Sequence, residues 1–182
     1  ARYRGNCSGH VVHALLDAYR PGLVVDPAEG SGTTGDVCRE RGVAYVGLDL
    51  RHGFDVVRDL LLARIARPAD LVFFHPPYWN IVPYSGAAWG DRPDSRDLSR
   101  APTYEAYLAD LRRALLNCLG ALAEGGRLAI LIGDIRRAGR YYSPQAAIIA
   151  WNLAPLDAVW IKTQHHCLSD TAGGPNVWRD DE

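Results

Sequence analysis

Short apolar runs that each end at one polar side chain constrain the fold of this chain most strongly. Three such runs, at residues 23–25, 44–48 and 71–74, are followed by Asp26, Asp49 and His75. The runs are apolar at nearly every position, which is typical of strands that are buried on both faces. Helical stretches separate them, and this alternation indicates a parallel sheet that is covered by helices on both sides.

The rest of the chain continues the alternation. The pattern predicts further strands at 128–132 and 158–161, and helices at 33–41, 59–65, 104–123 and 144–151. The expected fold class is therefore α/β, with a Rossmann-like, doubly wound and mainly parallel sheet and helices on both faces. A length of 182 residues suits one domain, so we predict a single domain over residues 1–182.

Residues 80–102 interrupt the alternation, because they are rich in Asn, Pro, Ser, Gly, Asp and Arg and show no periodicity. A loop of this length inside a compact domain is usually functional or disordered. It begins directly after the most distinctive motif of the chain, residues 75–79. We therefore expect residues 80–102 to form a mobile substrate loop.

Composition excludes several classes of protein. The formal charge of −1 excludes a strongly cationic nucleic-acid binder, and the four cysteines form no CxxC pair, which argues against a zinc site or a disulfide framework. No apolar run approaches the roughly 18–20 residues that cross a bilayer. Because no basic and apolar leader opens the sequence, we expect a cytoplasmic protein without a membrane partner.

A glycine-rich turn, residues 26–35, joins the first predicted strand to the first predicted helix. Gly30 and Gly32 permit positive φ and let a ligand approach the backbone closely. The turn ends at a helix N-terminus, whose N–H groups favour a carboxylate or a phosphate. It has neither the Lys-Ser/Thr of a Walker loop nor the spacing of the full dinucleotide fingerprint. A tight turn with a purely structural role is the alternative.

Two aspartates follow where a nucleoside would be held. Asp49 ends the second predicted strand about 20 residues after the glycines, a position from which a carboxylate accepts both ribose hydroxyls. Asp59 begins the next predicted helix. It is either the N-cap of that helix or an acceptor for an adenine amino group.

The most distinctive motif is His75-Pro76-Pro77-Tyr78-Trp79, directly after the third predicted strand. Its prolines fix φ and leave carbonyls without N–H neighbours, so a rigidly aimed carbonyl is available to an amino group. Tyr78 offers a flat face for a base that has left its helix. The alternative is a stiff turn whose aromatic rings belong to the core.

The glycine turn and the proline motif together resemble the S-adenosylmethionine-dependent amino-methyltransferases of DNA. The usual patterns of that family are Asp-Pro-Phe-x-Gly-Ser-Gly-Thr-Thr-Gly and Asp/Ser/Asn-Pro-Pro-Tyr/Phe. Residues 5–9, 133–136 and 161–165 resemble further segments of the family, so the resemblance runs over nearly the whole chain. It implies a class I methyltransferase fold that methylates N6 of adenine or N4 of cytosine.

The resemblance also implies which residues contact the ligands. The target base would be held by His75, Pro76, Pro77 and Tyr78, and other substrate contacts would come from Trp79, Arg136, Gln164 and His165. The cofactor would be held by Asn6, Ser8, Asp26, Pro27, Glu29, Gly30, Ser31, Gly32, Thr33, Thr34, Asp49, Leu50 and Asp59.

The expected partner is duplex DNA with a flipped base. Such enzymes normally carry a target-recognition region, and the sequence shows no separate domain for it. Specificity would then come from residues 80–102, from a second copy of the chain or from a separate specificity subunit. Residues 164–167 contain two histidines and a cysteine but no distant ligands, so we expect no metal site.

Two residues depart from the family patterns: Ala28 replaces the usual Phe, and His75 replaces a residue with an oxygen acceptor. The amino nitrogen of a base is a poor nucleophile because its lone pair is delocalised into the ring. Accepting hydrogen bonds from both of its N–H groups favours a tetrahedral nitrogen. We expect the Pro76 carbonyl to accept one N–H group and neutral His75 the other.

Protonated histidine has no acceptor, which ties the expected activity to the pKa of His75. With the ordinary histidine pKa of about 6.5, activity is expected to fall in acid at about pH 6–7. Three alternatives stay open: methylation of RNA, methylation of an amide in protein, and a catalytically inactive subunit that keeps the fold.

Overall fold

A four-stranded parallel sheet forms the centre of the computed structural model, which describes residues 7–163. The strand order is β2-β1-β3-β4. The chain therefore moves outward from β1 to β2 and then crosses to the other side of β1 to form β3. In open α/β sheets ligands bind at the carboxyl ends of the strands where the order changes direction, here between β1 and β3. The strands are β1 (Leu23–Asp26), β2 (Ala44–Gly47), β3 (Ala69–Phe74) and β4 (Leu122–Ile130).

Helices cover both faces of this sheet, as the apolar strands predict. Helices α1 (Gly9–Tyr19) and α2 (Thr33–Arg41) pack on the face that contains Val24, Leu71 and Phe73. Helix α3 (Tyr104–Gly120) packs on the opposite face, against Val25, Val72 and Phe74, and α4 (Pro144–Trp151) adds Ile148 and Trp151 to that side. The α/β class is therefore confirmed. Among residues 7–163, no helix combines the length and the apolar character that a membrane span requires.

Several predicted elements have the expected bounds because their local signals are strong. Helix α2 occupies the predicted residues, and α4 begins at a proline in its first turn, with Ser143 capping its N-terminus. Helix α1 was not predicted. Its apolar positions Val12, Leu15, Leu16 and Tyr19 have helical spacing, and Ser8 caps its N-terminus.

Two predicted elements are wrong. Residues 59–65 form only a short 3₁₀ turn at Leu61–Arg64, because the side chain of Asn117 binds the Asp59 carbonyl, which an α-helix would use. Residues 158–161 form no strand in the described part of the chain. Side-chain contacts hold this part of the chain against the rest of the fold instead: Trp160 stacks on Tyr19, and Asp157 pairs with Arg127.

Strand β4 also starts earlier than predicted, since it contains the Gly125-Gly126 pair that was expected to end the preceding helix. An irregular register between β3 and β4 accommodates these glycines. A two-stranded antiparallel hairpin, β5 (Ile135–Arg137) and β6 (Arg140–Tyr142), was not predicted.

Residues 80–102 contain short helical turns rather than no structure. The carboxylate of Asp97 is buried and accepts hydrogen bonds from the backbone N–H of Ser85 (2.7 Å) and the hydroxyl of Ser99 (2.6 Å). The Ser99 hydroxyl in turn accepts from the backbone N–H of Tyr84 at 3.0 Å. This network joins the two ends of the segment. That residues 80–102 move when a substrate binds stays a prediction.

Replacing Asn117 by alanine is expected to lower the free energy of unfolding by about 2 kcal/mol. The Asn117 side chain accepts from the N–H of Leu61 (3.0 Å) and donates to the carbonyls of Val56 (2.8 Å) and Asp59 (2.7 Å). Alanine leaves these backbone groups without partners. Urea denaturation measures the change. The half-exposed Leu116 on the same helix supplies the control Leu116→Ala, which should change stability by about 0.5 kcal/mol or less. Equal losses in both variants would contradict the role of Asn117.

Candidate functional site

A cleft opens at the carboxyl ends of β1 and β3, where the strand order changes direction. Its walls include Gly30 from the glycine turn and His75 from the proline motif. The two motifs lie far apart in sequence, and the pairing of β1 with β3 brings them to one edge of the sheet. If both motifs act on the same reaction, they must line one cleft, and residues of both do so here.

The glycine turn is folded around the buried carboxyl group of Asp26. One oxygen of Asp26 accepts from the N–H of Ala28 at 3.0 Å, and the other accepts from the hydroxyl of Thr34 at 2.6 Å. Gly30 and Gly32 have φ of 56° and 85°, the left-handed conformation that glycine adopts without strain. The N–H of Gly30 donates to Asp49 at 3.0 Å, so the turn is also tied to the end of β2.

Most of the residues that the resemblance assigns to a cofactor line this cleft, but not all. Ser8 caps helix α1 instead, accepting from the N–H of His10 at 3.3 Å. Ser31 and Gly32 are not among the lining residues. Asn6 lies outside the described residues. The assigned residues that do line the cleft are Asp26, Pro27, Glu29, Gly30, Thr33, Thr34, Asp49 and Leu50.

The structure places Asp59 outside the cleft and Asp55 inside it. Because the predicted helix at 59–65 does not form, Asp59 is not its N-cap; its carboxylate accepts from the N–H of Asp55 at 2.9 Å. Asp55 is 3% exposed and accepts from the N–H of Val57 (2.9 Å) and from Arg58 (2.6 Å). The sequence signal that was missed is an acid set between apolar residues, Phe54 and Val56, which also line the cleft.

Acidic side chains dominate the charge of the cleft. Five acidic residues line it: Asp26, Glu29, Asp49, Asp55 and Asp97. Arg96 is the one Lys or Arg among the described lining residues, and it pairs with Asp94. Burial raises the pKa of Asp26 to about 7, and the neighbouring Glu29 and Asp49 act in the same direction. The cleft therefore favours a cationic ligand.

Burial also sets the protonation state of the proline motif. It lowers the pKa of His75 to about 4, with a smaller effect from the charge of Lys162, so His75 is neutral near pH 7. Nε2 of His75 lies 3.1 Å from the hydroxyl oxygen of Tyr78. Pro77 lines the cleft, and its carbonyl accepts from the hydroxyl of Tyr107 at 2.8 Å. Pro76 is not among the lining residues, and no donor within residues 7–163 contacts its carbonyl.

Tyr78 and Trp79 lie differently from their predicted positions. Tyr78 packs against Gly133, where a Cβ atom would lie 2.9 Å from the ring, and it is not among the residues that line the cleft. Trp79 is 8% exposed, and its indole donates to the carbonyl of Ala101 at 3.1 Å. Its ring packs against Tyr104 and Tyr142. Trp79 thus anchors the segment 80–102 to the core instead of facing a substrate.

Trp89 is a candidate ligand contact that the sequence analysis missed. It lines the cleft, and its indole nitrogen is buried without a hydrogen-bond partner in the part of the chain that the structure describes. An unpaired buried donor costs about 1–3 kcal/mol, so an acceptor on a bound ligand would relieve that cost. A single Trp in an aperiodic segment carries no sequence signal for this position.

The other predicted substrate contacts lie away from the cleft or outside the described residues. Arg136 is exposed on β5 and is not among the lining residues. Gln164 and His165 lie outside residues 7–163. No protein-family model, curated protein or solved structure matches this chain. The case for a function therefore depends on the geometry of the cleft.

His75 is expected to stay neutral in the folded protein until about pH 4, which the nitrogen chemical shifts of its imidazole measure by NMR. Between pH 6.5 and 4 the unfolded chain binds a proton at this position and the folded chain does not. Relative to a His75→Asn variant, the unchanged protein should therefore lose unfolding free energy on acidification across that range, as urea denaturation measures. The comparison cancels the opposite effect of Asp26, which both proteins share. The imidazole signal that is missing from the NMR spectrum of the His75→Asn variant is that of His75. A His75 signal that titrates above pH 6 would contradict this account of its burial.

Proposed function

We propose that this chain transfers a methyl group from S-adenosylmethionine to the exocyclic amino group of a DNA base, adenine or cytosine. The observation that carries the proposal is the single cleft lined by both Gly30 and His75. The reacting atoms of a transfer must approach to about 3–3.5 Å in line, so the glycine turn and the proline motif must line one cavity. The four-stranded parallel sheet with its helices is consistent with a class I methyltransferase fold.

The charge of the cleft suits this cofactor. S-adenosylmethionine supplies an electrophilic methyl group on a sulfonium centre. The carboxyl groups of Asp26 and Glu29 favour the positive charges of its methionine part. Asp49 holds the ribose: its two oxygens accept from the N–H groups of Gly30 and Arg51, and each keeps a further lone pair for a hydroxyl.

The adenine of the cofactor lies against apolar side chains of the same cleft in this proposal. Phe54, Val56 and Leu98 offer such surface, and the carboxylate of Asp55 accepts from the adenine amino group. Asp55 replaces Asp59 in this role because it faces the cleft. The ring that the family places at position 28 is absent, since Ala28 stands there, and Phe54 supplies aromatic surface in the same cleft.

The target amino group is held between the Pro76 carbonyl and His75. We assign the Nε2 proton of His75 to a hydrogen bond donated to the Tyr78 hydroxyl, which leaves Nδ1 as the acceptor for one N–H group. The Pro76 carbonyl accepts the other N–H group, while Tyr107 keeps the neighbouring Pro77 carbonyl occupied. After transfer, the methylated nitrogen is a strong acid, and Nδ1 of His75 accepts its proton.

Asp49→Asn is expected to weaken cofactor binding at least about tenfold, because an amide cannot accept two ribose hydroxyls and the Gly30 N–H as a carboxylate does. Titration calorimetry with S-adenosylmethionine measures this. Asp36→Asn, on the exposed side of α2, is the matched control and should bind like the unchanged protein. Absence of binding to the unchanged protein would contradict the assigned cofactor.

Transfer of a labelled methyl group to duplex DNA is expected, with an acid limb at about pH 4–5 rather than 6–7, because burial lowers the pKa of His75. His75→Ala should reduce the rate about 100-fold or more, since one acceptor is lost, whereas His75→Asn should retain activity and lose the limb. His10→Ala, on the exposed face of α1, is the control.

The same assay includes transfer RNA and a glutamine-containing peptide as substrates. Labelling of RNA or peptide alone would replace the proposed substrate by one of those classes. Cofactor binding without transfer to any of the three would instead favour a catalytically inactive subunit. Full activity of His75→Ala would remove His75 from the reaction.

A further inference from the structure

The hairpin of β5 and β6 carries a concentration of positive charge beside the proline motif. Its strands are joined by Ala138-Gly139, both with positive φ (50° and 74°), which is the geometry of a tight two-residue turn. Arg136, Arg137 and Arg140 lie on it, and all three are exposed. Arg137 and Arg140 are directly opposite each other across the strand pair. Like charges in that position destabilise a hairpin, so an anion that binds there would relieve a repulsion.

These three arginines have no acidic partner among the described residues. None of the ion pairs within residues 7–163 includes them. The nearby Asp134 accepts hydrogen bonds from the hydroxyls of Tyr141 and Ser143. Elsewhere in the chain, by contrast, arginines such as Arg113 pair with an aspartate three residues away.

Direct contacts fix this hairpin to the motif that would hold the target base. The guanidinium of Arg137 donates to the side-chain oxygen of Asn80 at 2.6 Å, one residue after Trp79. The ring of Tyr142 packs edge-on against Trp79, with their centroids 5.2 Å apart. Gly133, just before the hairpin, packs against Tyr78. Whatever binds the arginines is therefore held at a fixed place relative to His75 and Pro76.

We propose that this hairpin binds the phosphate backbone of duplex DNA next to the flipped base, through Arg136 and Arg140; this rests on the proposed function. Arginine suits this role because its planar guanidinium binds phosphate in a bidentate manner. With a net charge of −1, the chain as a whole does not attract DNA, so a local patch must supply the attraction.

The test compares two double variants that remove the same charge. Arg136→Gln with Arg140→Gln removes two arginines of the hairpin. Arg20→Gln with Arg39→Gln removes two exposed arginines near the ends of α1 and α2, which precede the amino ends of β1 and β2. Fluorescence anisotropy measures the affinity for a labelled DNA duplex, and for the RNA duplex of the same sequence, at several salt concentrations. Calorimetry with S-adenosylmethionine is run on each protein.

The hairpin variant should show a slope of log affinity against log salt that is smaller by about 1.8, from two lost phosphate contacts. Its DNA affinity at low salt should fall about tenfold or more, and its cofactor affinity should be unchanged. The control variant should match the unchanged protein in all three measurements.

The outcomes separate this proposal from the proposed function. An unchanged salt slope in the hairpin variant, with DNA binding by the unchanged protein, overturns the hairpin proposal alone. A lowered slope without any cofactor binding supports the hairpin and overturns the proposed function. Binding of the unchanged protein to RNA but not to DNA overturns the assignment of the hairpin to DNA. Binding to neither nucleic acid overturns both proposals.

Discussion

The parallel pairing of β1 with β3 is the constraint on which the rest of the site depends. It aligns Val24 with Leu71 and Val25 with Val72, so the two strands end at the same edge of the sheet. Asp26 and His75 come from these two strand ends. Since the order of the sheet changes direction between the same two strands, the helices that follow them lie apart and leave a cleft. Every proposed contact with a cofactor or a base depends on that opening.

Burial at this edge shifts the pKa values of two groups in opposite directions, because it disfavours the charged form of both. The pKa of Asp26 rises to about 7 and that of His75 falls to about 4. Between pH 4 and 6.5, raising the pH stabilises the fold through His75 and destabilises it through Asp26. A bound cation, such as the sulfonium group of the proposed cofactor, would favour the ionised form of the Asp26 carboxyl group. A neutral imidazole is what an acceptor for an amino group requires.

The segment after the proline motif forms part of the wall of the cleft and is held by its own polar contacts. Asp97 and Ser99 hold the turn that contains Ser85, and Trp79 fixes the start of the segment to the aromatic core. This arrangement places Trp89 at the wall of the cleft with an unpaired indole N–H. The hairpin of β5 and β6 packs on the same aromatic cluster through Tyr142. The proline motif, the segment 80–102 and the hairpin of β5 and β6 therefore share one structural support.

The sequence alone determined the α/β class, the strand that precedes each motif, and helices α2 and α4, because caps, turns and apolar runs act over a few residues. It also indicated the glycine turn and the proline motif. It did not determine that Asp55 rather than Asp59 faces the cleft, since this follows from Asn117, on a distant helix, binding the backbone near Leu61. The burial of Trp79, the lowered pKa of His75 and the register of the basic hairpin also needed the tertiary structure. Each of these features depends on residues that are remote in sequence. Burial determines which side chains pack together and which titratable groups are charged, and burial exists only in the assembled fold.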